Sequence, residues 1–223
     1  MKIANMMKLG LILALFAAAA CVMLAFVYTG TKTVIEQRQK TNLETALYEI
    51  FPDADSFEPV EGIKSPDSSV TIEDAYLANR NGQPVGAALR VSRGAYGGPI
   101  KIMAGVSIDG TITGVRIMEH SETPGLGAHA ASPSYFVDKE KRITFYGQFT
   151  GKSVHHPFEV KGDVVAITAS TITSRAVSVS VKAAAVAVRD WFAGIDVDTV
   201  SGASKTSGAG EVSGASEASE EEK

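Results

Sequence analysis

The sequence predicts an α+β protein: a single N-terminal apolar helix, then a domain built on an antiparallel sheet with flanking helices. Three observations carry this. Residues 9–28 are continuously apolar or small and hold no charge. Two dipeptides, Asn81-Gly82 and Asp109-Gly110, each separate neighbouring segments of strand character, and both tolerate positive φ. Residues 175–192 are rich in alanine and valine and long enough for a closing helix. At 223 residues, 45% of them hydrophobic, the chain can form one domain with a real core plus accessory segments.

The elements follow in order. A helix of about 20 apolar residues spans the ~30 Å hydrocarbon layer. Lys2 and Lys8 precede the run, and Lys32 follows a break expected at Gly30. Ala17-Ala18-Ala19-Ala20 resembles a signal-peptide cleavage region, which is the alternative reading. Yet Val22-Met23-Leu24-Ala25-Phe26-Val27 continues the run beyond the usual apolar core of a signal peptide. The same continuation argues against a lipoprotein signal ending at Cys21. An uncleaved single-span anchor over 1–30 is the expectation. Basic residues on both flanks leave little positive-inside bias. The N-terminus is placed in the cytoplasm because nothing before Leu9 is large enough to be a domain.

Residues 31–52 read as a helical stalk, polar with Val34, Ile35, Leu43 and Leu47, and Phe51-Pro52-Asp53 ends it because proline disfavours helical geometry before it. The domain occupies 53–193. After a loop-rich stretch over 53–69, strand character appears at 75–79, 85–92, 102–108 and 111–119, an antiparallel meander. A helix is expected over 134–141 and an extended segment over 154–160. In the last segment Val177, Val179 and Val181 alternate as in a strand. Val177, Val181, Ala184 and Val188 also fit one helical face, and length and alanine content favour the helix. From Gly194 the composition turns to Ser, Gly, Ala and Glu, the pattern of a disordered acidic tail over 194–223.

Several function classes drop out. A net charge of −4 argues against a nucleic-acid partner. The one cysteine excludes an intramolecular disulfide, a cysteine-ligated iron–sulfur cluster and a c-type haem within the chain. His120, His129, His155 and His156 have no zincin spacing and no partner cysteines, so no metal site is expected. No G-x-S-x-G elbow is present, nor a G-x-G-x-x-G opening a helix after a strand. No catalytic residue is assigned, and no complete active site is expected in this chain alone.

One run carries chemistry. Ile167-Thr168-Ala169-Ser170-Thr171-Ile172-Thr173-Ser174 crowds small residues and hydroxyls just before a helix expected to begin near Ser174. The first turn of a helix has N–H groups without intrahelical partners, and the macrodipole adds partial positive charge. A phosphate is stabilised there. Small side chains let the backbone approach it, and a threonine hydroxyl offers a donor or a point of attachment. Alone, the run reads as an ordinary helix cap, which is what Ser/Thr clusters before helices usually are.

Two further stretches accompany it: Gly94-Ala95-Tyr96-Gly97-Gly98-Pro99-Ile100 and His120-Ser121-Glu122-Thr123-Pro124-Gly125-Leu126-Gly127. Together with the anchor, the three resemble the G subunit of Rnf-type electron-transport complexes. The C subunit of the sodium-pumping NADH:quinone oxidoreductase shares the same flavin-binding domain. The resemblance covers nearly the whole chain up to about Phe192. It implies FMN joined by a phosphoester to the hydroxyl residue at the fourth position of an S/T-G-A-S/T-x-S/T pattern, which maps onto Thr168, Ala169, Ser170, Thr171, Ile172 and Thr173. The modified residue is then Thr171. Ala169 replaces the usual glycine, a departure that weakens the turn if positive φ is needed there. Ser170 replaces the usual alanine.

The same resemblance implies an extracytoplasmic FMN-binding domain, maturation by a flavin transferase, and assembly with other membrane and peripheral subunits. It further implies electron flow between ferredoxin and NAD coupled to ion movement. The span holds no Asp, Glu, Lys, Arg or His, so no ion pathway is expected within this chain.

The expected FMN contacts are Glu122, Thr123, Gly125, Leu126, Gly127, Lys152, Thr168, Ala169, Ser170, Thr173 and Ser174. Thr168, Thr173 and Ser174 are expected to donate to the phosphoryl oxygens, Leu126 to offer an apolar face, and Thr123 to reach the ring's polar edge. The 122–127 stretch reads equally as a surface turn. Tyr96 reads as a pocket wall or a tight turn, and Lys152 as a cation near the flavin or a solvated lysine. Asp198-Thr199-Val200-Ser201-Gly202-Ala203-Ser204 repeats the attachment pattern with Ser204 as acceptor, but no helix follows it and similar Ser-Gly-Ala units lie nearby. Two rivals to the Rnf reading remain: a C-subunit-like component of the sodium pump, and a membrane-tethered scaffold without cofactor.

Overall fold

The computed structural model describes residues 3–194; the expected tail and Ser204 lie outside them. The chain divides into two units, Met1–Glu49 and Ile50–Lys223. The first is one helix, α1, which runs Ile3–Ile50. Its apolar stretch exposes large side chains all along it, with Leu13, Leu24 and Phe26 each more than two-thirds exposed. No break falls at Gly30. A single interior glycine costs a helix only about 1 kcal/mol, and that is too little to interrupt a long run of good helix formers. The helix stops at Ile50, ahead of Phe51-Pro52.

The second unit is an antiparallel meander with a helix packed on it. Strands β1 (Ser56–Pro59), β2 (Thr71–Arg80), β3 (Gln83–Gly94), β4 (Pro99–Ser107) and β5 (Ile112–Glu119) pair in sequence order. Asn81-Gly82 closes the β2–β3 hairpin with φ of 52° and 73°, and Gly110 turns β4 into β5 at 79°. The four expected strands are present, and the first three run longer than anticipated. β1 lies in the stretch read as loop: its four residues pair through backbone groups with Tyr76–Asn79 of β2, and so short a segment has no side-chain alternation to announce it.

Helix α2 (Thr171–Ala193) packs on β3 and β4. Val177, Val181, Ala184 and Val188, all fully buried, meet Leu89, Val91, Ile102 and Ala104. The ambiguity of this segment therefore resolves to helix. On the sheet's other face, Ile50 and Phe51 occupy a floor of glycines. A Cβ at Gly105 would lie 2.0 Å from Ile50 Cγ2 and 2.8 Å from the Phe51 ring, and one at Gly86 would lie 2.9 Å from that ring. Gly114, paired with Gly105, completes the floor.

Two expectations fail between the sheet and α2. Residues 134–141 form no helix: Phe136–Asp138 is a short strand, β6, paired with β7 (Ile143–Thr144). Asp138 Oδ1 accepts from the N–H groups of Glu140 and Lys141, a local turn that competes with helix hydrogen bonding. Arg142 then adopts φ 54° and lays its guanidinium over Phe136. Residues 154–160 turn instead of extending, with Phe158 at φ 55° so that its ring stacks near Phe149 in the core.

Gly105→Ala is expected to lower the stability of the full-length chain by about 1–3 kcal/mol, as overpacking does. Thermal unfolding in detergent reads the loss, and an unchanged midpoint would show that the floor has room to spare.

Candidate functional site

The β3–β4 turn, the segment after β5 and the N-terminus of α2 lie at one end of the sheet, because Gly94 pairs with Pro99 and Lys101 with Glu119 at that edge. Ala95 N–H donates to the Gly98 carbonyl, with Gly98 at φ 140°. Thr123-Pro124-Gly125-Leu126 has Pro at the second position, Gly125 at φ 78° and a Leu126 N–H donating to the Thr123 carbonyl, the pattern of a type II turn. A 3₁₀ turn over Gly127–Ala131 follows.

Glu122 ties these pieces together. It is 7% exposed. Its Oε1 accepts from the Gly97 N–H at 2.9 Å, and its Oε2 accepts from the Thr173 hydroxyl at 2.6 Å. Gly127 makes room for the carboxylate, since a Cβ there would lie 2.0 Å from Oε2. Gly97 allows the neighbouring close approach, because its Cβ would meet the Ser121 carbonyl at 2.2 Å. One carboxylate thus joins all three motif segments.

Helix α2 begins at Thr171, three residues earlier than expected. Ser170 is its N-cap but makes no side-chain cap, and the first turn holds no acidic residue. The Ser174 N–H bonds to the Ser170 carbonyl, and among the described residues no partner reaches the N–H groups of Thr171, Ile172 or Thr173. Three donors without partners and the macrodipole favour an anion at this helix end. Ala169 just before them adopts φ 59°, the left-handed region where alanine is disfavoured. The substitution of alanine for glycine therefore falls on a position that needs positive φ.

A cavity of about 390 Å³ opens in front of this turn, lined by Tyr96, Glu122, Thr123, Leu126, Gly127, Ala169, Ser170, Thr171, Ile172 and Thr173. Tyr96 and Ile172 are 71% and 59% exposed beside it, so a flat apolar ligand finds apolar walls already in place. An adjoining cavity of about 500 Å³ holds Gly125 and Thr168 and shares Leu126 and Ala169 with the first.

Of the expected contacts, Glu122, Thr123, Leu126, Gly127, Ala169, Ser170 and Thr173 therefore line one cavity with Thr171. The others do not. Ser174 is fully buried, donates to the Ser170 carbonyl and accepts from the Ile167 N–H, so it is not free for a phosphoryl oxygen. Thr173 is committed to Glu122 in the same way. Lys152 lies away from the cavity, its ammonium 3.1 Å from Asp163 Oδ2 and donating to the Asp163 carbonyl. Ile172 was missed: its exposure follows from the earlier helix start, and hydropathy alone places an isoleucine inside. Among the described residues no group of His, Cys, Asp or Glu is arranged to hold a metal ion.

An apolar N-terminal helix long enough to cross a membrane thus precedes a domain whose cavity ends at an uncapped helix N-terminus. Comparison with known proteins gives the family. Residues 95–186 match the FMN-binding domain and residues 1–50 match the RnfG N-terminal region. The G subunit of the Na(+)-translocating ferredoxin:NAD(+) oxidoreductase complex of Acetobacterium woodii is 35% identical over 189 residues, 77% of this chain and 86% of that protein. The G subunit of the ion-translocating oxidoreductase complex of Aliivibrio fischeri is 36% identical, covering 81% and 89%, and that of Methanosarcina acetivorans is 36% identical, covering 72% and 82%. The solved C subunit of the Na(+)-translocating NADH-quinone reductase from Parabacteroides distasonis aligns at TM-score 0.37 with 26% identity, over 55% of this chain and 63% of that one. The chain belongs to the family of G subunits of ion-translocating oxidoreductase complexes.

Two outcomes follow. Ala169→Gly is expected to stabilise the chain by about 1 kcal/mol by relieving the left-handed alanine, read as a higher thermal midpoint. For Asp163, burial raises the carboxyl pKa, but the Glu159 N–H and the Lys152 ammonium outweigh burial and hold it below 3.8. A carboxyl lowered on folding stabilises the protein above its unfolded value, and that stability is lost as pH falls through the folded value. The stability gap between wild type and Asp163→Asn should therefore shrink below pH 3.8; a gap independent of pH would contradict the pairing.

Proposed function

We propose that this protein is the membrane-anchored electron-carrier subunit of an Rnf-type complex, with FMN esterified to Thr171. The observation that carries the reading is the state of the hydroxyls around the uncapped turn. Thr173 and Ser174 are buried and already bonded, and Ser170 is buried as well, whereas Thr171 is half-exposed on the cavity at the first position of α2. The N–H groups of Thr171, Ile172 and Thr173 would hold the phosphodiester. Leu126, Ile172 and Tyr96 would flank the ring, and Thr123 would meet a polar edge. The FMN-binding match contains every one of these residues.

Bound FMN supplies the redox chemistry, while the chain supplies attachment, orientation and electrostatics. An ester bond ends exchange of the cofactor with solution, as suits a relay. Forming it would move the flavin-bearing phosphoryl group from a flavin dinucleotide to the Thr171 oxygen on a flavin transferase: the P–O–P bond of the donor breaks, the other nucleoside monophosphate leaves, and the hydroxyl proton passes to solvent. Residues 1–30 are assigned as a single span with the N-terminus cytoplasmic, residues 31–52 as a stalk, and residues 53–193 as an extracytoplasmic flavin domain. The partners are the other subunits of the complex, which by analogy with the relatives' names pass electrons between ferredoxin and NAD while ions cross the membrane. The other helix long and apolar enough to span, α2, is mostly buried in the domain and serves as its core.

The test is in-gel flavin fluorescence. The chain, coexpressed with a flavin transferase, is denatured and viewed under ultraviolet light. Wild type and Ser204→Ala should fluoresce and Thr171→Ala should not. A dark wild-type band, or a bright Thr171→Ala band, would refute attachment at Thr171.

A further inference from the structure

We propose that the Glu122 carboxylate lowers the reduction potential of the flavin by placing a negative charge with no cationic side chain paired to it in the cavity wall; this rests on the reading of that cavity as the FMN site. Glu122 lines the cavity beside Thr123, Leu126 and Thr171. It is 7% exposed, and its partners are neutral donors: the Gly97 N–H at 2.9 Å and the Thr173 hydroxyl at 2.6 Å. Among the described residues no lysine, arginine or histidine pairs with this carboxylate; the ion pairs lie elsewhere, on Glu73, Asp74, Asp163 and their neighbours. A charge shielded from water acts on its surroundings far more strongly than a solvated one.

Reduction adds electrons to the bound ring and increases its negative charge. A fixed carboxylate in the wall opposes that change and favours the oxidised form, which makes the carrier a stronger reductant. Hydrogen-bond geometry alone does not require the charge. A glutamine at this position has one oxygen to accept from Gly97 and an amide to donate to the Thr173 oxygen. Glu122→Gln therefore keeps both tethers while removing the charge. Thr173→Val does the reverse: it keeps the charge and strips one of the two donors that soften it.

The experiment is a redox titration of the flavin-loaded, full-length chain in detergent, followed by flavin absorbance. Glu122→Gln should raise the midpoint potential by at least about tenfold in the equilibrium constant, ~30 mV for a two-electron couple. Thr173→Val should lower it. An unmoved midpoint in Glu122→Gln, or a rise in Thr173→Val, overturns the assignment. If Glu122→Gln takes up no flavin, the direction of the Thr173→Val shift decides alone. In-gel fluorescence on the same samples separates the two levels: a loaded protein with an unmoved midpoint refutes the charge effect only. A wild type without flavin refutes the reading of the site and this inference with it.

Discussion

A single buried carboxylate holds the functional end of this domain together. Glu122 accepts one hydrogen bond from the β3–β4 turn and another from the first turn of α2, and it is itself anchored just after β5. Charge-assisted hydrogen bonds of this kind are roughly twice as strong as neutral ones. Removing the carboxylate would leave the buried Thr173 hydroxyl and the Gly97 N–H unpaired, a cost of about 1–3 kcal/mol for each group lost from water. The glycines around it serve the same end. Gly127 and Gly97 are glycine because the carboxylate and the Ser121 carbonyl occupy the space of a side chain.

Once the carboxylate has taken Thr173, the chemistry of the neighbouring hydroxyls divides. Ser174 turns inward to bridge Ile167 and Ser170, which ties the left-handed Ala169 turn to the helix. Thr171 alone of the helix's opening hydroxyls combines exposure with a place on the cavity, next to backbone donors that no side chain caps. The arrangement resembles a phosphate cradle built from main chain instead of lysine and arginine. That choice suits a redox carrier, because positive side chains beside the flavin would pull its potential upward. The only lysine expected nearby, Lys152, is engaged with Asp163 instead.

Much of this was legible beforehand. The apolar run, the two hairpins and the closing helix follow from residue chemistry that acts over a few positions, so hydropathy and the φ tolerance of Asn-Gly and Asp-Gly were enough. The hydroxyl-rich run before α2 was legible through its motif, and Ala169 within it does adopt positive φ. What failed were short irregular stretches. In residues 134–141 the Asp138 carboxylate captures the local N–H groups, and β1 exists only because β2 offers an edge. Such outcomes depend on partners that composition does not name.

By itself the sequence determined the class of each long element and the order of the four long strands, because these depend on periodicity and on local turn stereochemistry. Only the tertiary structure decided which hydroxyls are free, where α2 begins, and that Glu122 is a clamp across 51 residues of chain. A hydrogen bond between residues so far apart forms only after the sheet has brought both ends together, and nothing in the local spacing of either partner records it.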